Sequence, residues 1–143
     1  MRKPRSPCFQ CKMYLADTHA LLWYLTGDDR LGKRAKETFV KADKGEDTVI
    51  IPTIVLAESL FIAEKHKADV MFGEVLKKIQ NSLNYVVYPL NINVVLKCQD
   101  KEMKKISEIH DRIIVVTAKL LNAKLITKDP EIRNSKAVEC IWD

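Results

Sequence analysis

Four acidic residues, Asp17, Glu58, Asp111 and Asp129, occupy positions where a carboxylate is costly or sharply directed. Asp17 follows the apolar run Met13 to Ala16, and Asp129 follows Leu125 to Thr127. Residues just past the carboxyl ends of strands line the binding crevices of open α/β sheets. Glu58 has Ile54, Val55, Phe61 and Ile62 three and four positions away, which puts a charge on the apolar stripe of a helix, where it needs a partner. Asp111 begins a helix with apolar residues at Ile113 and Ile114, so its carboxylate meets free N–H groups and the positive end of the dipole and stays ionised. If the four converge, each pair about 4 Å apart costs roughly 4 kcal/mol at an effective dielectric of about 20, with no lysine in evident position to cancel it. A divalent cation resolves that repulsion. Oxygen donors without a histidine or cysteine cluster select a hard ion, Mg²⁺ or Mn²⁺ rather than Zn²⁺. Such a centre suits phosphodiester hydrolysis: it lowers the pKa of a bound water, holds the phosphate and neutralises charge on the departing 3′ oxygen.

Each acid also has an ordinary reading. Asp17 and Asp111 can cap helices, Asp129 before Pro130 can serve a turn, and Glu58 can pair with Lys65 or another lysine. Only their joint placement points to chemistry. Thr127, two residues before Asp129, can orient a ligand carboxylate or water through its hydroxyl, or be simply a β-branched strand residue. His19, His66 and His110 share no metal-ligand spacing and are expected to pack or face solvent. Arg112 either contacts phosphate or sits in solvent.

The elements that must position these residues follow from apolar periodicity. Strands are expected at 13–16, 48–51, 85–88 and 125–127, and helices at 18–25, from Leu31 to Gly45, from Pro52 to about His66, at 69–82, at 92–107, and from Asp111 to Asn122. The 92–107 helix has a lysine-rich surface. Strands alternating with helices, without hairpin signals, predict a three-layer α/β/α sandwich around a mostly parallel sheet.

The 143 residues fit one domain with one core, at 47% hydrophobic and 30% charged. The net charge is +5, but Arg2, Lys3, Arg5 and Lys12 precede Met13 with no acid among them, so 20 cations face 19 acids in the remainder, a net +1. Basicity is therefore weak support for a polyanionic partner. No apolar stretch approaches the ~20 residues of a membrane helix, and the first dozen residues lack the hydrophobic middle of a signal peptide, so a cytoplasmic location is expected. Residues 1–12 read as a disordered extension, with Met13 a candidate start and 13–143 the nuclease domain. Cys8 and Cys11 form one C-x-x-C without a second pair, so no structural zinc is expected.

The stretch Asp17-Thr18-His19-Ala20-Leu21-Leu22-Trp23 after an apolar strand resembles the opening of VapC-like PIN domains. Pro52-Thr53-Ile54-Val55-Leu56-Ala57-Glu58, His110 to Ala118, and Leu125-Ile126-Thr127-Lys128-Asp129 are similar to the later segments of that family, and Trp142 fits as well. Four acid-bearing segments agree in order and spacing from Met13 to Trp142. The resemblance implies an α/β/α fold and Mg²⁺- or Mn²⁺-dependent cleavage of single-stranded or structured RNA by the toxin of a toxin–antitoxin pair. It also implies a homodimer and inhibition by a cognate antitoxin. Where many relatives carry Asp-Pro shortly before the third acid, this chain has Glu108-Ile109-His110, which alters the expected shape of the RNA cleft.

Two other phosphate chemistries fit poorly. A phospho-accepting signalling domain needs clustered acids after the first strand, which supplies only Asp17, and a dehalogenase-type phosphatase needs an acid where His19 stands. The remaining alternative is a nucleic-acid or antitoxin binding module with the same fold and little turnover. A DNA-directed nuclease is also compatible, because phosphodiester chemistry does not distinguish the sugar.

Overall fold

The computed structural model describes residues 12–66 and 69–143. The segment carrying Cys8, Cys11 and most of the expected extension lies outside them. Among the described residues, β1 (Met13–Ala16), β2 (Thr48–Pro52), β3 (Tyr85–Tyr88), β4 (Lys124–Ile126) and β5 (Cys140–Ile141) form one sheet in the order β3-β2-β1-β4-β5, and every pair is parallel. The central strands are buried, Leu15, Val49, Ile51, Leu125 and Ile126 completely. That explains their unbroken apolar runs, since a parallel sheet covered on both faces has no polar side.

The described helices are α1 (Thr18–Thr26), α2 (Lys33–Asp43), α3 (Thr53–Lys65), α4 (Asp69–Asn81), α5 (Ile92–Lys97), α6 (Ile109–Leu120) and α7 (Pro130–Ser135). The chain moves outward from β1 through β2 to β3, then returns across the sheet to β4 and on to β5. Right-handed crossovers therefore place α1 to α4 on one face and α5 to α7 on the other. The direction reverses between β1 and β4, and the crevice beyond the carboxyl ends of such a strand pair is where open α/β sheets bind ligands.

Several elements depart from expectation. The helix predicted over 92–107 breaks after Lys97, and a 3-10 turn at Lys101–Lys105 follows. Met103 and Ile106, three residues apart, are both buried there, and the tighter winding puts i and i+3 on one side. The sixth helix begins at Ile109 rather than Asp111, with Glu108 at its N-cap. The fourth strand lies one residue earlier than predicted. Helix α7 and strand β5 were not expected. The first is started by the Asp129 side chain and Pro130; the second is a two-residue strand visible only through its pairing with β4. Trp142 then packs edge-on against Trp23: its carbonyl accepts from Ala35 N–H at 3.0 Å, and a Cβ at Gly32 would lie 2.2 Å from that oxygen, so only glycine fits. No described helix is long and apolar enough to cross a membrane.

Candidate active site

Asp17 and Asp129 come together because β1 and β4 are neighbours. Ala16 pairs with Ile126, and the Asp17 N–H donates to the Ile126 carbonyl at 3.2 Å, so Asp17 faces the first residues beyond β4. Asp17 caps α1, one carboxylate oxygen accepting from Ala20 N–H at 2.9 Å. Asp129 caps α7 in the same way, accepting from Glu131 N–H at 2.8 Å and Ile132 N–H at 3.3 Å. Thus the ordinary reading of Asp17 as a cap holds, Asp129 caps a helix where only a turn was expected, and capping is what aims both. Thr127, fully buried, joins the pair: its hydroxyl accepts from Asp129 N–H at 3.1 Å, and its proximity draws the Asp17 carboxyl down. Burial pushes the Asp17 carboxyl above its ordinary range, against the pull of Thr127 and the Ala20 N–H.

Glu58 and Asp111 reach the same crevice from opposite faces of the sheet. The buried face of α3 runs along Val55, Ser59 and Ala63, so Glu58 stands at the edge of the stripe, not within it, and Phe61 is 66% exposed. Its partner is not Lys65 but Thr18, whose hydroxyl donates to Glu58 Oε1 at 2.9 Å. Asp111 sits in the first turn of α6. Its carboxyl is nonetheless pushed up to about 6: burial raises it most, His110 opposes, and the charges of Asp129, Glu58 and Asp17 raise it further. At about 6 Asp111 is still mostly ionised at neutral pH, as expected, but desolvation and crowding by acids outweigh the helix dipole and raise its carboxyl.

All four acids line one cleft of about 470 Å³. Sequence reasoning missed other groups there. His110 Nε2 lies 3.7 Å from Glu58 Oε2 and 3.9 Å from Asp111 Oδ1, and His19 also lines the cleft, so neither is a bystander. Cations are present too, as Arg30 and Lys128 stand at the rim. Adjacency of His110 to Asp111 and of Lys128 to Asp129 was the available signal. Arg112, by contrast, neither lines the cleft nor faces solvent freely, because its Nε donates to the Ile106 carbonyl at 2.6 Å.

Among the described residues, no three His, Cys, Asp or Glu side chains form a ready metal cage. Mg²⁺ keeps several waters and takes one or two carboxylates directly, so it does not call for such a cage. The donor set fits such an ion: four carboxylates on one cleft, close enough that three of them perturb the fourth.

The family profile described as "PIN domain" matches residues 14–137 of this sequence. The chain belongs to the PIN-domain family. Solved structures share the fold of this PIN domain. One is VapBC2 from Rickettsia felis bound to a DNA fragment from its promoter, with a TM-score of 0.70 at 16% identity over 92% of this chain and 99% of that one. Another is a toxin–antitoxin complex from Klebsiella pneumoniae, with a TM-score of 0.63 at 18% identity over 87% and 94% of the two chains. PAE2754 from Pyrobaculum aerophilum scores 0.60 at 16% identity over 97% and 92%. None of the curated protein sequences matches the PIN domain described here.

Proposed function

We propose that this PIN domain is an endoribonuclease dependent on Mg²⁺ or Mn²⁺ and acts as the toxin of a toxin–antitoxin pair. The observation that carries the reading is the convergence of Asp17, Glu58, Asp111 and Asp129, from two strand ends and two helices on opposite faces, on the cleft at the β1/β4 reversal. These four would hold the ion. When bound, it would supply a more acidic water and stabilise charge on the phosphate.

The chain's own groups do the rest. Thr127 holds Asp17 and receives the Asp129 N–H, which keeps the strand-end acids in register. Thr18 orients Glu58. Burial and the neighbouring acids raise the Asp111 carboxyl, a cost that a bound cation would relieve, and His110 Nε2 faces both helical acids. The partner reading draws on the similar structure from Klebsiella pneumoniae, described as a toxin–antitoxin complex, and on VapBC2, described as bound to a DNA fragment from its promoter. It also draws on large apolar side chains left exposed on α3 and α5, among them Leu60, Phe61, Ile92 and Leu96, which a homodimer mate or a cognate antitoxin would cover.

The test is cleavage of a mixed single-stranded RNA pool by purified, antitoxin-free protein with Mg²⁺ or Mn²⁺. Cleavage is expected, lost with EDTA and reduced by about a hundred- to a thousand-fold in Asp17→Asn and Asp111→Asn, the cost of one preorganised electrostatic contact to a transition state. No cleavage by folded wild-type protein would overturn the nuclease in favour of a binding module.

A further inference from the structure

The acidic cleft has one rim of opposite sign. Arg30, in the turn between α1 and α2, and Lys128, between β4 and Asp129, both line it, and each cation lies 4.5 Å from the centroid of the Trp23 ring. Cation–π attraction thus gathers two residues that are far apart in sequence onto one indole. Trp23 is 8% exposed and packs edge-on against His19 and Trp142, so it acts as a rigid seat and leaves little ring surface for a base to stack on.

Asp28 completes the seat. Its carboxylate accepts from Arg30 Nε at 3.0 Å, Nη2 at 2.8 Å and the Arg30 backbone N–H at 2.9 Å, and the Arg30 side chain holds the Asp28 carboxyl down to about 2. A guanidinium has five N–H donors, so a bidentate pair leaves three for a further acceptor. The side chain is 64% exposed, with those donors open to a ligand at the rim. A nucleic acid entering a cleft lined by four carboxylates needs compensating charge, and these two cations stand beside the acids.

Resting on the ribonuclease reading above, we propose that Arg30 and Lys128 are positioning residues that bind a backbone phosphate of single-stranded RNA next to the one being cleaved, held in place by Trp23 and Asp28. Contacts of this kind set register without reading sequence.

The experiment measures binding of a labelled mixed-sequence single-stranded RNA by anisotropy over a salt series, in the Asp111→Asn background so that turnover does not interfere. Arg30→Gln with Lys128→Gln is expected to flatten the slope of log K against log salt by about 0.7, the share of the one RNA phosphate that the pair no longer neutralises. Arg30→Lys with Lys128→Arg is expected to restore the slope. With Asp111 intact, the glutamine pair is expected to raise KM more than it lowers kcat. An unchanged slope in the glutamine pair, with wild-type cleavage intact, would overturn the cationic rim and leave the nuclease standing. A slope flattened equally in the charge-conserving pair would also overturn it, because packing rather than charge would be at issue. If the wild type neither cleaves nor binds the RNA, both readings fall.

Discussion

Asp17 and Asp129 are anchored at strand ends, where helix N–H groups and one buried hydroxyl engage both, whereas Glu58 and Asp111 project from helices on opposite faces of the sheet and are steadied by Thr18 and by His110 at 3.7–3.9 Å. The strand half is fixed by the backbone itself. The helical half is fixed by side chains, 31% exposed for Glu58 and 20% for Asp111, and can be redirected by rotamer changes. For the hydrated ion proposed above, both kinds are needed: two acids that would define where the centre lies and two that would adjust to it.

The contrast can be broken most sharply at the two threonines. Thr127→Val keeps the shape and removes the hydroxyl shared by Asp17 and Asp129; a fall of about 10- to 100-fold in metal affinity or cleavage rate is expected, the usual cost of removing an outer-shell partner. Removing the acceptor of the Asp129 N–H should also lower stability by about 1 kcal/mol, measured by chemical denaturation. Thr18→Val, the matching change on the helical side, should slow cleavage by less than about ten-fold, since one net hydrogen bond is at stake and Glu58 still faces His110. Equal effects of the two substitutions would dissolve the distinction.

The smallest effect is in pH dependence. Folded Asp111 titrates at about 6 against an ordinary 3.8, so between those values the folded state keeps a proton that the unfolded chain has released. Stability in chelator should therefore fall as pH rises from about 4 to about 6, by a few degrees in Tm, and Asp111→Asn should remove its share of that slope.

The strands and most helices were legible because a parallel sheet and amphipathic helices write their burial into apolar periodicity. The run from Ile92 to Ile106 misled because Met103 and Ile106 keep the i, i+3 spacing that an α-helix also uses, while the break at Cys98–Asp100 carries no proline or glycine. Strand β5 was illegible for a different reason: two residues have no periodicity, and only β4 makes them a strand. The four acids could be found from position alone, since a carboxylate after a strand or beside an apolar stripe is conspicuous. What surrounds them could not. Thr18 beside Glu58, and Arg30 with Lys128 about Trp23, are meetings across 40 and nearly 100 residues that only the folded chain arranges.

The placement of β4 beside β1 also has a consequence in time. Asp17 and Asp129 are more than a hundred residues apart in the chain, yet the two share a floor that exists only once Lys124–Ile126 have joined the sheet. Closing so long a loop is among the slower events of folding. A polypeptide emerging from the ribosome therefore carries these acids apart, and the carboxylate cluster proposed to do the chemistry forms only after β4 has been made and has docked beside β1.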